Sequence, residues 1–143
     1  MKVKECMTKN VICVGEHESA GVAARLMARY NLGSLPVRRL DGSLAGMLTD
    51  RDLVLRCMAA DKNAGSVRVG SVMTGRIVSA QAGMDVSQAA ALMAKEQVRR
   101  LPVTEQGRLV GLVTLADLSR RDEYAAEAGE CLGEMCAAVH HLD

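Results

Sequence analysis

The heptapeptide GMLTDRD at residues 46–52 returns as GLVTLAD at residues 111–117. Both copies hold a glycine, two apolar residues, a threonine, two variable positions and an aspartate, in the same order. A threonine followed three residues later by an acidic residue is typical of a helix N-terminal cap. The same groups also suit a phosphate or a sugar at a helix N-terminus, so a structural and a ligand-binding interpretation both stay open.

The heptapeptide is one part of a duplication that spans most of the chain. VKECMT (residues 3–8) matches VGSVMT (69–74), and LPV (35–37) matches a second LPV (101–103), each at an interval of 66 residues. One residue is then missing from the second copy, and the remainder aligns at an interval of 65. The copies run over residues 3–56 and 69–121, and a duplication of this kind predicts two similar folding units.

The local pattern of each copy predicts the order β-α-β-β-α. Apolar runs at residues 11–14 and 77–80 predict a first strand, and Ser19 and Asp85 are good N-caps for the helix that follows. LPV opens a second strand, an Asp-Gly or Gln-Gly turn leads to a third, and a second helix begins after the threonine of the heptapeptide. The fold class is therefore α/β (α+β), and units this small are expected to pack their sheets against each other about a pseudo-twofold axis.

The domain organisation follows from this alignment. Residues 1–60 are expected to form the first repeat, 61–68 a polar linker, 69–121 the second repeat and 122–143 a tail. In the tail, Tyr124, Leu132, Met135 and Val139 lie on one helical stripe, which predicts an amphipathic helix that docks on the module or on a neighbouring subunit.

Composition excludes several classes of protein. Eighteen basic and 17 acidic residues give a net charge of +1, which argues against a general nucleic-acid surface. The chain has neither a run of 18 apolar residues nor the apolar core of a signal peptide, so we expect no membrane partner and a cytoplasmic protein. Its five cysteines, an odd number without C-x-x-C spacing, are expected to be reduced and mostly buried.

Catalytic and metal-binding patterns are scarce. No Ser/His/Asp grouping, paired-carboxylate set or phosphate-binding glycine loop is visible, and we therefore predict no enzyme. Cys136 and His140, four residues apart in the tail, could begin a metal site, but only two of the nearby ligands share a helix face well. No metal site is predicted.

The paired LPV and G-h-h-T-x-x-D patterns (h, apolar), set in a duplicated β-α-β-β-α unit, resemble a tandem pair of CBS (cystathionine-β-synthase) domains, called a Bateman module. The resemblance covers about 120 of the 143 residues, and the chain looks particularly similar to short stand-alone pairs, including the hypoxic-response type, which carry no catalytic domain. It implies a regulatory module that binds adenosine-containing ligands in the cleft between the two repeats.

The resemblance also implies roles for individual residues. Asp52 and Asp117 would accept hydrogen bonds from ribose hydroxyls, and Thr49 and Thr114 would hold the phosphate. The residues expected to flank one adenine are Asn10, Val11, Ile12, Leu35, Pro36 and Val37, and those expected to flank the other are Arg76, Ile77, Val78, Leu101, Pro102 and Val103. Since the chain has only two aromatic residues, Tyr30 and Tyr124, an adenine would lie between aliphatic groups.

Three arginines distinguish the two expected sites. Arg51 lies inside the first heptapeptide, while Arg99 and Arg100 precede the second LPV. Arginine suits phosphate, although a solvated surface explains the same residues equally well. The arginine pair favours the second site for a phosphorylated ligand.

These observations lead to two hypotheses of different classes. The first is a regulatory module that requires no cofactor, binds AMP, ADP or ATP ahead of S-adenosylmethionine or NAD, and controls an unidentified protein. The second is a structural or interaction protein with empty clefts that acts through dimerisation and its tail helix. Under both, a homodimer is expected to cover exposed helix faces that carry Met27, Leu53, Met93 and Leu118 or their neighbours.

Overall fold

The computed structural model describes residues 1–119, which form two compact units. The first unit comprises Ile12–Ile77 with Gly107–Leu109; the second comprises Met1–Val11, Val78–Gln106 and the described residues from Val110 onward. The tail expected at residues 122–143, with Cys131, Cys136 and His140, lies outside the described residues.

The first unit holds a three-stranded sheet in the order β1-β2-β3, in which β1 and β2 are parallel and β2 and β3 antiparallel. The helix after β3 begins as a short α-helical turn and continues with π-helical geometry. The elements are β1 Val14–Gly15, α1 Ala20–Tyr30, β2 Ser34–Arg38, β3 Leu44–Thr49, α2 Asp50–Asp52, the π-helix Leu53–Met58 and α3 Val69–Val72.

The second unit repeats this architecture with the sheet order β4-β5-β6, and β4 is parallel to β5. Its last strand begins with two residues that belong to the first unit. The elements are a 3₁₀ turn Val3–Glu5, β4 Ala80–Gln81, α4 Val86–Glu96, β5 Arg100–Glu105, β6 Arg108–Thr114 and α5 Leu115–Ser119. The α/β class and the order β-α-β-β-α predicted from sequence are thus confirmed in both copies.

The first strand of each copy is shorter than predicted. Of residues 11–14 and 77–80, only Val14 and Ala80 lie in strands, and residues 11–13 and 75–79 have no regular secondary structure. The apolar pattern misled the prediction because Ile12 and Val78 pack against the cores of their units without pairing in a ladder. These segments therefore carry apolar side chains on irregular backbone.

Both predicted helix caps are confirmed. The Ser19 hydroxyl accepts a hydrogen bond from Val22 N at 3.2 Å. Asp85 and Gln88 form a capping box, in which Asp85 N donates to Gln88 Oε1 at 3.1 Å. The Lys2 ammonium, 3.0 Å from the Asp85 carboxylate, holds the pKa of this carboxyl below its usual value by a hydrogen bond and by its charge.

Ser19→Ala is expected to lower the free energy of unfolding by about 1 kcal/mol, because the substitution removes the acceptor for the Val22 N–H. Chemical denaturation of both proteins measures this change. Ser87→Ala is the matched control, since Ser87 is an exposed residue in the first turn of α4 and is not its N-cap. Equal losses in the two variants would show that the Ser19 cap does not stabilise the helix.

The two cores exchange segments between the sequence repeats. Val3, from the first repeat, is buried among Leu101, Val103 and their neighbours in the core of the second unit. Val69 and Val72, from the second repeat, are buried in the core of the first unit. Neither repeat therefore completes its own core without the opening segment of the other.

Helix faces that were expected to be exposed are in fact buried. Met27, Met93 and Leu118 are 6%, 0% and 0% exposed, and Leu53 is partly buried against the core of the first unit. These four side chains pack in or against the core of their own unit, so the expectation that a second copy covers them is wrong for the named residues, whereas it stays a prediction for their exposed neighbours. Among the exposed apolar side chains, Val54, Leu55 and Met58 lie together on the π-helix.

Candidate functional site

The T-x-x-D segment of the first unit forms a closed turn at the end of β3. Thr49 is the N-cap of α2, and its hydroxyl accepts a hydrogen bond from Asp52 N at 3.0 Å. In return, Thr49 N donates to Asp52 Oδ2 at 3.0 Å. This reciprocal pair is a capping box, so the structural interpretation of the pattern is correct for this turn.

The second T-x-x-D segment has the same geometry. Thr114 N donates to Asp117 Oδ2 at 2.8 Å, and Asp117 N donates to the Thr114 hydroxyl at 3.1 Å. Each aspartate is therefore oriented by a backbone N–H that fixes one carboxylate oxygen. A helix cap does not preclude a ligand, because a carboxylate has about four acceptor positions and the cap uses one of them.

The Asp52 carboxylate has further neighbours. The Thr74 hydroxyl lies 3.4 Å from both Asp52 oxygens, and Arg56 Nε lies 3.9 Å from Oδ1. Arg56 also donates from Nη1 to the carbonyl of Met73 at 2.9 Å. With its side chain 11% exposed, Asp52 is a nearly buried carboxylate held in one orientation by three residues.

Glycine in each heptapeptide permits a close approach of backbone to backbone. Met47 and Thr74 exchange N–H···O hydrogen bonds of 3.0 and 2.9 Å, and a Cβ at Gly46 would collide with the Thr74 carbonyl oxygen. Thr8 and Leu112 form the same pair at 2.8 and 2.9 Å, and a Cβ at Gly111 would lie 2.9 Å from the Thr8 carbonyl oxygen. The glycines are therefore explained by packing, without reference to a ligand.

These pairs identify two residues that the sequence interpretation did not select. Thr8 and Thr74 occupy equivalent positions in the two copies, 66 residues apart, and each ends a matched segment, CMT or VMT. Each is hydrogen-bonded to the strand that leads into a T-x-x-D turn. The repeat of the threonine was the available signal.

Most residues expected to flank adenine lie in or beside strands of the sheets. Leu35, Val37, Leu101 and Val103 are fully buried core residues, and both prolines between them are buried. Their side chains thus stabilise the fold. The other members of the expected set lie on the irregular segments, with Ile12, Arg76 and Ile77 in the first unit and Asn10, Val11 and Val78 in the second.

The expected phosphate-binding arginines are all exposed, but their settings differ. The Arg99 carbonyl accepts a hydrogen bond from Leu115 N at 2.7 Å, which anchors Arg99 beside the second turn. Arg100 follows it at the start of β5. At the equivalent place in the first turn, Gly33 accepts from Asp50 N at 3.0 Å, and the exposed Asp50 carboxylate takes the position of Leu115.

Other kinds of site find little support in residues 1–119. No group of three His, Cys, Asp or Glu side chains in this part of the chain is arranged to hold a metal ion. The described helices are also too short or too polar to cross a bilayer.

Comparison with known proteins identifies the family. The model of the CBS domain family matches residues 3–58 and 69–124. The chain is 41% identical over 130 residues to the CBS domain-containing protein YhcV of Bacillus subtilis, and the match covers 91% of each chain.

Two solved structures extend the comparison. The crystal structure of Hypoxic Response Protein I with two coordinated zinc ions is 37% identical, with a TM-score of 0.78, over 85% of this chain and 98% of that one. The CBS domain pair of protein MJ0100 in complex with 5′-methylthioadenosine and S-adenosyl-L-methionine is 28% identical, with a TM-score of 0.71, over 84% of this chain and 94% of that one. The resemblance to CBS pairs of the hypoxic-response type is thus confirmed.

Proposed function

We propose, because this chain belongs to the CBS domain family, that it is a non-catalytic regulatory module that binds an adenosine-containing ligand through the T-x-x-D turn of each unit. CBS pairs are in general regulatory ligand-binding modules. The observation that carries the proposal is the fixed carboxylate of Asp52 and of Asp117, oriented in the same way in both copies. A related CBS pair in complex with two adenosine derivatives supports the class of ligand.

A carboxylate that is oriented before the ligand arrives suits a ribose diol. Two adjacent hydroxyls can donate to the free acceptor positions of Asp52, and charge-assisted hydrogen bonds of this kind are stronger than neutral ones. The Thr74 hydroxyl, at 3.4 Å from both oxygens, makes only long contacts that leave room for shorter bonds to a ligand. Preorganisation of this kind lowers the entropic cost of binding.

The irregular segments at residues 11–13 and 75–79 supply the complementary surface for a base. Their backbone lies outside the strand ladders, and their half-buried or exposed aliphatic side chains, such as Ile12 and Ile77, suit the faces of a planar ring. We propose that backbone groups of these segments recognise the edge of the adenine. This assignment needs no aromatic side chain.

The two turns favour different ligands. Arg99 and Arg100 bring two positive charges to the second turn, whereas Asp50 adds a negative charge to the first. Electrostatic attraction therefore favours AMP, ADP or ATP at the second turn. The first turn, where Arg51 is the only one of these arginines, is the better place for a ligand of lower negative charge, such as S-adenosylmethionine.

A thermal-shift panel of AMP, ADP, ATP, NAD and S-adenosylmethionine tests the proposal, with GTP as the control for base recognition. A ligand at a hundred times its dissociation constant stabilises the folded state by about 2.7 kcal/mol, which corresponds to a rise in melting temperature of roughly 5–10 °C. No rise with any adenosine ligand would favour the alternative, a structural or interaction protein.

We also propose a homodimer that forms through the exposed side chains of the π-helix. Leu55→Glu and Met58→Glu are expected to convert a dimer of the 15.2 kDa chain into monomers, because each places a charge in an apolar contact. Light scattering measures the mass. Leu40→Glu is the control, since Leu40 is 88% exposed and lies outside the π-helix. A wild-type monomer at micromolar concentration would contradict the proposal.

A further inference from the structure

A groove on the first unit, separate from its T-x-x-D turn, combines positive charge with an apolar wall. Its volume is about 690 Å³, within the range of small-molecule sites. Arg38, Arg39 and Arg108 line one part of it, and Val22, Leu26 and Leu40 line another. All the lining residues belong to the first unit.

Two of the arginines are held in place by hydrogen bonds to uncharged groups. Arg39 Nη1 donates to the Leu44 carbonyl at 2.9 Å and to the Ser43 hydroxyl at 3.3 Å. Arg108 donates from Nε and Nη2 to the Asp41 carbonyl at 3.2 and 2.6 Å. Because a guanidinium has five N–H donors, each keeps further donors for a ligand, and neither charge is neutralised by these bonds.

Two carboxylates, Asp41 and Glu18, line the groove. Hydrogen bonds from Ser43, and to a smaller extent the charges of Arg39 and Arg108, hold the pKa of the Asp41 carboxyl below its usual value, so Asp41 offsets part of the positive charge. Asp41 Oδ1 accepts from the Ser43 hydroxyl at 2.6 Å and from Ser43 N at 2.9 Å, and Glu18 Oε2 accepts from Gly15 N at 2.8 Å. The ion pairs Lys2–Asp85 and Arg56–Asp52 do not involve the groove. Three guanidinium charges thus outnumber two carboxylates.

The duplication provides an internal comparison for these arginines. Arg38 and Arg39 follow the first LPV, and the equivalent residues of the second copy are Thr104 and Glu105. Both copies form the same strand from LPV onward. The fold therefore does not require arginine at positions 38 and 39, and these two charges are specific to the first copy.

We propose that this groove binds a small oxyanion ligand, carrying phosphate or carboxylate groups, beside an apolar portion. The oxyanion is bound by the free N–H groups of Arg39 and Arg108, because planar guanidinium groups match the geometry of both anions. The apolar portion lies on Val22, Leu26 and Leu40. The site is independent of the adenosine-binding turns.

Nuclear magnetic resonance of the full ¹⁵N-labelled chain tests the proposal, with inorganic pyrophosphate and citrate as the two probes. We expect saturable shifts of the Nε–H signals of Arg39 and Arg108. Higher affinity for pyrophosphate would indicate a phosphate site, and higher affinity for citrate would indicate a carboxylate site. Arg108→Gln and Arg39→Gln are expected to weaken the binding of the preferred probe about tenfold. Arg39→Lys is expected to weaken it less, because lysine keeps the positive charge but lacks the planar set of N–H donors of a guanidinium group.

The controls separate this site from the proposed nucleotide turns. Arg29→Gln, on an exposed part of α1, is expected to leave probe binding unchanged, and Arg39→Gln is expected to leave adenosine ligands unaffected. Melting curves verify the fold of each variant. If Arg39→Gln melts at a lower temperature than the wild type, Arg39→Lys replaces it as the test variant. Shifts confined to Arg51, Arg99 and Arg100, or no saturable shift at Arg39 and Arg108 with either probe, would overturn the inference.

Discussion

Asp117→Asn is expected to weaken the binding of AMP, ADP or ATP at the second turn by about tenfold or more. A hydrogen bond to a charged group is worth roughly 1.5–3 kcal/mol and a neutral one roughly 0.5–1.5 kcal/mol, so asparagine loses about 1 kcal/mol or more for each bond from a ribose hydroxyl. The amide oxygen can still accept from Thr114 N, so the melting temperature of the ligand-free protein should change little. Titration calorimetry and melting curves measure the two effects separately.

The equivalent change in the first turn is expected to have a smaller effect on these nucleotides. Asp52→Asn acts where Asp50 repels a phosphate, whereas Asp117→Asn acts beside Arg99. Asp50→Asn is the matched comparison, because it removes a carboxylate from the same turn outside the capping box and is expected to strengthen, not weaken, nucleotide binding there. If both T-x-x-D variants melted early and bound every nucleotide as the wild type does, the turns would be helix caps and nothing more.

Gly46→Ala is expected to lower the free energy of unfolding by about 2–4 kcal/mol. The new methyl group would occupy the position of the Thr74 carbonyl oxygen, and its accommodation would break the Met47–Thr74 backbone pair. Gly111→Ala should act in the same direction on the Thr8–Leu112 pair. Chemical denaturation measures the losses, which correspond to roughly 2–4 °C in melting temperature for each kcal/mol.

The chain supplies a matched control for each glycine. Gly75→Ala in the first unit and Gly83→Ala in the second place a methyl group where no atom lies within 4 Å. The free energy of unfolding of these variants should stay within about 0.5 kcal/mol of the wild-type value or rise slightly, because alanine restricts the conformations of the unfolded chain. Losses of similar size at all four positions would show that the backbone contacts are not the cause.

The duplication made the architecture predictable from the sequence. Each of the two aligned copies has a helix-cap signal, at Ser19 or Asp85, and a glycine turn before its last strand, β3 or β6. The same order of elements is therefore indicated twice, and each copy supports the other. The T-x-x-D turns were also recognisable, because a capping box depends on residues only three positions apart.

Features that depend on contacts distant in sequence were not predictable. Thr74 lies 22 positions after Asp52 in the sequence, and no local pattern indicates that their side chains are close in space. Met93 and Leu118 belong to an apolar helical pattern whose outer edge cannot be located without knowing how wide a surface the sheet covers. The three arginines of the groove come from β2, its following turn and β6, and the sequence pattern alone does not bring them together.

The exchange of opening segments fixes the order in which the chain can fold as it leaves the ribosome. Residues 1–11 are made before residues 12–77, yet their partners in the second unit, Val78–Gln106 and the described residues from Val110, are made after them. Residues 12–77 contain nearly all of the first unit, so that unit can form while the opening segment still waits as an unpaired strand of polypeptide. Until those partners are made, Val3 stays outside the core in which it is buried in the folded protein, and pairing between segments so distant in sequence favours slow folding.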